Sequence, residues 1–267
     1  MPGFRTVVTL VLLAVPATAQ DTLRTSSRER AHVPFNVGER LEYEVKFGFP
    51  LLPAVRVGSG AMEVSGLDTV RGRETWHSIF RITGGLRVYS VNDRYESWLD
   101  THTLASLRYV QDINEGSYDR ERHFEIYPER RQFVQDSQPP EPSVEHPLDE
   151  GSFLYFLRTI SLVVGKDTSF SDYFRPDRNP VRIRVLRKER ISVPAGDFNA
   201  IVVQPVIVNT KIFGEGGHAE VWLSDDDNRI MLQMKSKLSF GSLNLYLKSY
   251  RPPPPMPATK IATPPTP

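Results

Sequence analysis

The stretch VWLSDDDNRIML, residues 221–232, sets three acids, Asp225, Asp226 and Asp227, between two apolar runs. A calcium loop needs oxygen ligands at its first, third and fifth positions, glycine at the sixth and a bidentate glutamate at the twelfth. With Asp225 first, Asp227 falls third, but Arg229 falls fifth, Ile230 sixth and Ser236 twelfth. A cation beside Arg229 with no closing carboxylate is poorly held. The triplet is therefore expected to form a hairpin turn, in which Asp and Asn side chains hydrogen-bond nearby backbone.

Other chemistries fail on spacing. The histidines at 32, 77, 102, 123, 146 and 218 stand singly, so none makes the His-Glu-x-x-His pair of a zinc helix. GSG at 58–60 and EGSF at 150–153 lack the Gly-x-Ser-x-Gly spacing of a nucleophile elbow. Gly165-Lys166 lacks the glycine five residues earlier, and Asp167 stands where a phosphate loop needs Ser or Thr. FGEGGHAEVW, residues 213–222, precedes a strand pattern, not a helix whose N-terminus would face an anion. Cysteine is absent, which excludes disulfides, thiolate ligands and a thiol nucleophile. No metal or cofactor is expected. Paired carboxylates such as Asp93 with Asp100, or Glu145 with Asp149, suit glycoside hydrolysis only at a separation that sequence does not supply.

The elements that must position these residues are mostly strands. RLEYEVKF, residues 40–47, alternates Leu41, Tyr43, Val45 and Phe47 with Arg40, Glu42, Glu44 and Lys46; TWHSIFRI, residues 75–82, sets Trp76, Ser78, Phe80 and Ile82 on one face. Further strands are expected at 55–64, 93–100, 104–113, 118–127, 131–135, 181–190, 198–208, 219–223, 230–238 and 243–250. Turns are expected at 66–68, 115–116, 194–197 and 240–241. RIRVLRKER at 182–190 reads as the wet face of a half-buried strand, its arginines alternating with Val181, Ile183 and Val185. One segment follows helical spacing: Asp149 as N-cap, then apolar residues at 153, 154, 156, 157 and 160, with Gly165-Lys166 as the stop, which predicts a helix over 150–163. A short helical turn is expected at 85–89.

One-faced alternation in many short strands argues for antiparallel sheet. The expected fold is all-β: a curved sheet, half-barrel or sandwich-like domain with one central helix packed on it, spanning 34–251 as a single domain or as two β lobes joined by the helix. Aromatic residues on strands (Trp76, Trp98, Trp222, Tyr43, Tyr95, Tyr109) pack well on a pleated surface and read first as core.

At the N-terminus Arg5, the apolar run 7–15 and Ala17-Thr18-Ala19 form a secretory signal, with cleavage expected after Ala19 and export to the periplasm or beyond. The run is too short to span a bilayer. Removing it takes away Arg5 and leaves 32 cationic against 32 acidic residues, a balance that does not suggest nucleic acid. Residues 20–33 read as a flexible leader. The segment 252–267 reads as a proline-rich disordered tail.

FNVGERLEYEVKFG (35–48), YSVNDRYESWLD (89–100), LDEGSFLYFLR (148–158), ISVPAGDFNAIVVQP (191–205) and EVWLSDDDNRIMLQMKSKLSFGSLNLYL (220–247) resemble, in order, the motif series of the bacterial exported family called domain of unknown function 3108. The resemblance implies an exported, mainly antiparallel β domain of the cell envelope of Gram-negative-type bacteria, with no reaction and no catalytic residues to carry over. Asp93, Asp100 and Asp225 then read as turn or pairing residues. Gly151, inside the first turn of the helix motif, leaves the helix start open.

These features favour a non-enzymatic envelope binding or assembly module, with a groove for a lipid or glycan to which Phe153, Phe156, Leu157, Trp98 and Trp222 would contribute. An envelope protein is the other class of partner. Two alternatives stand beside it: a hydrolase of cell-wall glycan or peptide working through carboxylates such as Asp93 or Asp225, and an envelope scaffold docking through the tail. The sequence does not fix the oligomeric state.

Overall fold

Alternation sets the architecture. In β1 (Arg40–Gly48), Leu41, Tyr43, Val45 and Phe47 are buried, while each intervening residue is half-exposed. The computed structural model describes residues 30–48, 53–86, 89–206, 219–238 and 241–255. The expected signal segment, the expected leader before residue 30 and the expected tail beyond residue 255 lie outside them.

From β1 the chain meanders outward through β2 (Val55–Val70), β3 (Arg73–Leu86), β4 (Tyr89–Asp100), β5 (Ser106–Glu115), β6 (Tyr118–Tyr127), β7 (Gln132–Gln135) and β8 (Glu141–Pro142). Helix α1 (Glu150–Phe156) follows. The chain then begins again at the opposite edge with β9 (Asp167–Phe170) and returns through β10 (Val181–Val193), β11 (Gly196–Val206), β12 (Ala219–Ser224), β13 (Met231–Leu238) and β14 (Gly241–Arg251). There β14 pairs with β1, so the question of one sheet or two resolves to one antiparallel sheet of 14 strands in the order β8-β7-β6-β5-β4-β3-β2-β1-β14-β13-β12-β11-β10-β9.

The outer strands of this order do not pair with each other, but the segments beyond them meet. Leu148 and Tyr173 form a parallel bridge, and Ser143 Oγ donates to the Phe174 carbonyl at 2.7 Å. The sheet therefore curls round like a barrel with a seam, and α1 packs on its inner face. Tyr43, Phe80, Tyr109, Phe133, Phe153, Tyr155, Tyr173 and Phe174 are all less than 2% exposed. Strands and helix thus fill the interior jointly. Edge-to-face contacts join Phe124, Phe133 and Phe174 in one group and Phe35, Trp76 and Tyr155 in another; such pairs add about 0.5–1.5 kcal/mol each beyond burial.

Several boundaries differ from expectation. The helix ends at Phe156, not 163: the Arg158 and Thr159 amides already bond three residues back, and the Arg158 side chain is drawn away to a buried carboxylate. Its start is settled at Glu150. The expected turn at 66–68 is a β-bulge after Val64, and β2 runs on to Val70. Gly85 and Tyr89 belong to β3 and β4, so the short helical turn expected at 85–89 is replaced by strand ends flanking 87–88, which lie outside the described residues. The short strands β8 and β9 carry too few residues for periodicity to register. Residues 207–208, 213–218 and 240, included in the expected strand 198–208, the glycine-rich stretch and the expected turn 240–241, are also outside the description.

Candidate functional site

The helix is fixed at both ends by buried polar groups. At its start Asp149 is wholly buried and accepts from the amides of Gly151 and Ser152 at 2.8 Å each, while Ser152 Oγ accepts from the Asp149 amide at 2.8 Å, a reciprocal cap. Two strand hydroxyls complete the carboxylate shell: Ser97 of β4 donates at 2.6 Å and Ser106 of β5 at 2.7 Å. Burial pushes the Asp149 pKa up to about 6, against the lowering effect of these donors. Glycine at 151 is a steric requirement, since a Cβ there would sit 2.6 Å from Ser97 Oγ.

Beyond the helix, Arg158 is buried and forks onto Glu39 at 2.5 and 2.9 Å, with further bonds to the carbonyls of Pro34 and Asn228. Burial works against its charge, but the hydrogen bonds and charge of Glu39 outweigh that and raise its pKa above the ordinary guanidinium value. At the first residue of the helix, Arg178 reaches Glu150 Oε1 at 3.0 Å and also Tyr173 Oη at 2.8 Å. A carboxylate inside the capping shell, or facing a fully buried arginine, has no route to a substrate. These groups orient α1.

The outer face carries two other arrangements. Ser65, His77 and Glu96 form a row: Ser65 Oγ lies 3.0 Å from His77 Nδ1, and His77 Nε2 lies 2.7 Å from Glu96. The residue types are those of a hydrolytic triad. However, Ser65 Oγ also donates to the His77 carbonyl at 3.0 Å, and the imidazole stacks flat on Trp98 at 4.3 Å. The row is a cross-strand polar ladder, with the serine proton engaged by backbone. Burial raises the Glu96 pKa, yet the His77 hydrogen bond and the Arg94 and Arg81 charges bring it below the usual carboxylate value.

The second is a basic depression of about 410 Å³ across β14, β1, β2 and β3, lined by Arg40, Arg56, Arg81 and Lys248, with Glu42 at one side and Ser59, Gly60, Ala61 and Thr83 as its floor. Small residues on β2 make it hollow, and two bulges aim the cations. Between β1 and β14 the pairing steps from Glu42↔Ser249 to Tyr43↔Leu247, leaving Lys248 as the extra residue. Between β1 and β2 it steps from Val45↔Gly58 to Lys46↔Arg56, which returns Arg56 to the face of Ser59 and Ala61. Gly58 permits the close strand approach beneath: a Cβ there would lie 2.0 Å from the Thr83 carbonyl oxygen.

Comparison with known proteins places this architecture. The family described as "Protein of unknown function (DUF3108)" matches residues 42–248. The chain belongs to that family. No curated protein matches it. Among solved structures, the DUF3108 chain is similar to a β-barrel-like protein of domain of unknown function DUF1849 from Brucella abortus, with TM-score 0.55, 11% identity, and coverage of 84% of this chain and 100% of that one. A Parabacteroides distasonis candidate lipoprotein is more distant at TM-score 0.34 and 12% identity, again covering 84% and 100% of the two chains. The first of these likenesses supports the barrel-like fold.

Four of the five stretches that carry the DUF3108 resemblance meet around the helix. The helix motif supplies Asp149, Gly151, Ser152 and Arg158; Glu39 comes from the first motif, Ser97 from the second and Asn228 from the last. In the DDD turn, Asp226 Oδ1 accepts from Ser224 Oγ and the amides of Asn228 and Arg229, while Asp225 pairs with Lys188 at 2.9 Å. Asp100 caps the β4–β5 turn through the amides of His102 and Thr103 and pairs with Arg73. Asp93 is buried in β4 and accepts from the Asn114 amide. With β3, β2, β1, β14 and β13 between β4 and β12, the fold does not bring Asp93 and Asp225 together.

Of the five aromatic and apolar candidates, four lie in or against the main buried cluster, and Trp98 stands apart from it. Phe153 and Leu157 are buried in the core, and Phe156 packs edge-on against Phe170. Trp98 and Trp222 lie in opposite arms of the sheet, Trp98 in a small separate cluster with Val70, Leu107 and Val110 and Trp222 within the main buried cluster. Trp98 donates to Asp68 at 2.9 Å under Arg108, and Trp222 donates to Glu189 at 2.6 Å under Arg187 and Lys235. The basic depression escaped the sequence reading because its four cations come from four strands. The one local signal was GSGA at 58–61, a run of small residues in a strand pattern.

Proposed function

We propose that this chain is an exported, non-enzymatic binding module of the bacterial cell envelope that meets its ligand or partner on the outer face of the curled sheet. The observation that carries the reading is the contrast in occupancy. The inner face is filled by α1 and the large aromatic side chains, held by buried polar bonds. The outer face offers a solvent-open, cation-lined depression. Export rests on Arg5, the apolar run 7–15 and Ala17-Thr18-Ala19. Phe153 and Leu157 then serve the plug, and the ligand classes are a lipid headgroup, a glycan or an envelope protein.

The test is native mass spectrometry of the protein released from an envelope extract, as wild type and as Ala61→Trp, which fills the depression from its floor. The expected result is a bound species that the variant loses. An acyl-lipid adduct retained unchanged by Ala61→Trp would place the ligand inside the sheet and overturn the reading.

A further inference from the structure

The cations of the outer depression are unequally used. Arg40 bonds to Glu42 and Glu63, and Arg56 lies 3.8 Å from Glu44. Arg81 and Lys248 make no salt bridge among the described residues, although their charges act at longer range on Glu96 and Glu42, and both line the depression. Two hydroxyls stand on the floor beside the Ala61–Arg81 pair, Ser59 Oγ and Thr83 Oγ1, 3.1 Å apart, with Thr83 Oγ1 also donating a long bond to the Ser59 carbonyl at 3.4 Å. The single carboxylate in the lining, Glu42, is engaged by Arg40 and by Ser249 Oγ at 3.0 Å, which hold its pKa below the usual value.

We infer that this depression binds a phosphomonoester-type anion, with Arg81 and Lys248 as its principal charge partners and Ser59 and Thr83 as hydroxyl donors. The inference rests on the outer-face reading above and names its ligand class. Guanidinium presents a planar fork matched to phosphate oxygens and ammonium a point charge, while a dianionic phosphate offers three acceptor oxygens to cations and hydroxyls together. A carboxylate would leave some of these donors unused. The volume of about 410 Å³ and the open mouth suit a headgroup-sized anion. A phosphorylated lipid headgroup and a soluble phosphate share this chemistry.

The experiment measures binding of the purified protein to inorganic phosphate by equilibrium dialysis at low salt, and in parallel its co-sedimentation with phosphatidylcholine vesicles with and without phosphatidic acid. The variants are Arg81→Gln/Lys248→Gln and Glu42→Gln, all at solvent-facing positions. Wild type is expected to bind phosphate. Removing two cations, at about fivefold each, should weaken binding roughly twenty-five-fold. Removing the repelling carboxylate in Glu42→Gln should tighten it several-fold, a gain that general damage to the fold does not produce. Vesicle binding that requires phosphatidic acid and is lost in the double variant identifies a lipid-borne phosphate; dialysis binding without vesicle binding identifies a soluble one. Phosphate or vesicle binding unchanged in the double variant would overturn the assignment to this depression while leaving the outer-face reading intact. No binding by wild type to either probe would overturn the phosphate assignment itself.

Discussion

Arg158 and Arg81 stand on opposite faces of one sheet and do opposite things. Arg158 has lost its water and spends its donors on Glu39 and two carbonyls, so it can only hold the segment before β1 and the β12–β13 turn to the end of the helix. Arg81 keeps its water, has no carboxylate within salt-bridge distance among the described residues, and borders an open depression. The same side chain is a fastener in one setting and a recognition group in the other, because breaking a buried pair strands a charge while an exposed charge is nearly neutral for folding. The lesson is that function on this fold should be sought where charge is solvated and unpaired.

The largest separation between the faces comes from removing each arginine. Arg158→Ala should cost about 3–5 kcal/mol in urea unfolding by leaving Glu39 buried and unpaired, whereas Arg81→Ala should stay within about 0.5 kcal/mol. Equal losses would erase the distinction.

The Asp149 shell offers a pH signature. Its folded pKa of about 6 lies above the ordinary value of 3.8, so the folded state holds this proton more tightly than the unfolded chain. The stabilisation is present below pH 3.8 and is lost as pH rises to about 6, on the order of 3 kcal/mol for a group shielded from solvent. Glu42, Glu74 and Asp100 have lowered pKa values and act in the opposite sense, their stabilisation being lost as pH falls. The comparison is therefore made by difference. Asp149→Asn keeps a good N-cap, and its stability relative to wild type should rise between pH 4 and 6 and then level off; a flat difference curve would show that the carboxyl does not titrate there.

A smaller effect is expected at the same place from Gly151→Ala, which crowds Ser97 Oγ and should lower stability by about 1–3 kcal/mol. Thermal unfolding monitored by circular dichroism is sufficient to read it, and an unchanged melting temperature would mean that β4 yields to the extra methyl group. The smallest change has the opposite sign. The Tyr109 hydroxyl is buried without a hydrogen-bond partner among the described residues, so Tyr109→Phe should be neutral or stabilising by up to about 1 kcal/mol in urea unfolding. A clear loss would reveal a partner for that oxygen.

The strands were legible where one face meets water. Leu41 to Phe47 and Val181 to Val185 alternate as a half-buried sheet must, and the aspartate triplet read correctly as a turn because the apolar phase changes across it. The helix start was legible in Asp149 as a cap, while its end was not, since Arg158 is pulled out of helical register by Glu39, 119 residues earlier in the chain. The candidate aromatic residues misled because burial of an aromatic ring looks alike in sequence whether the ring fills the main core, as Phe153 does, or lies under a cation apart from it, as Trp98 does. The depression was illegible because bulges at Lys248 and Val57 set which side chains share a face, and a bulge leaves alternation only locally out of step.

The distinction between the two faces meets its most direct test in amide chemical shifts of the folded protein during titration with inorganic phosphate. Shifts confined to residues 40–42, 56–61, 81–83 and 248, with the amides of 149–158 unmoved, are the expected result. Shifts centred on 149–158 would place the ligand against the helix and contradict it.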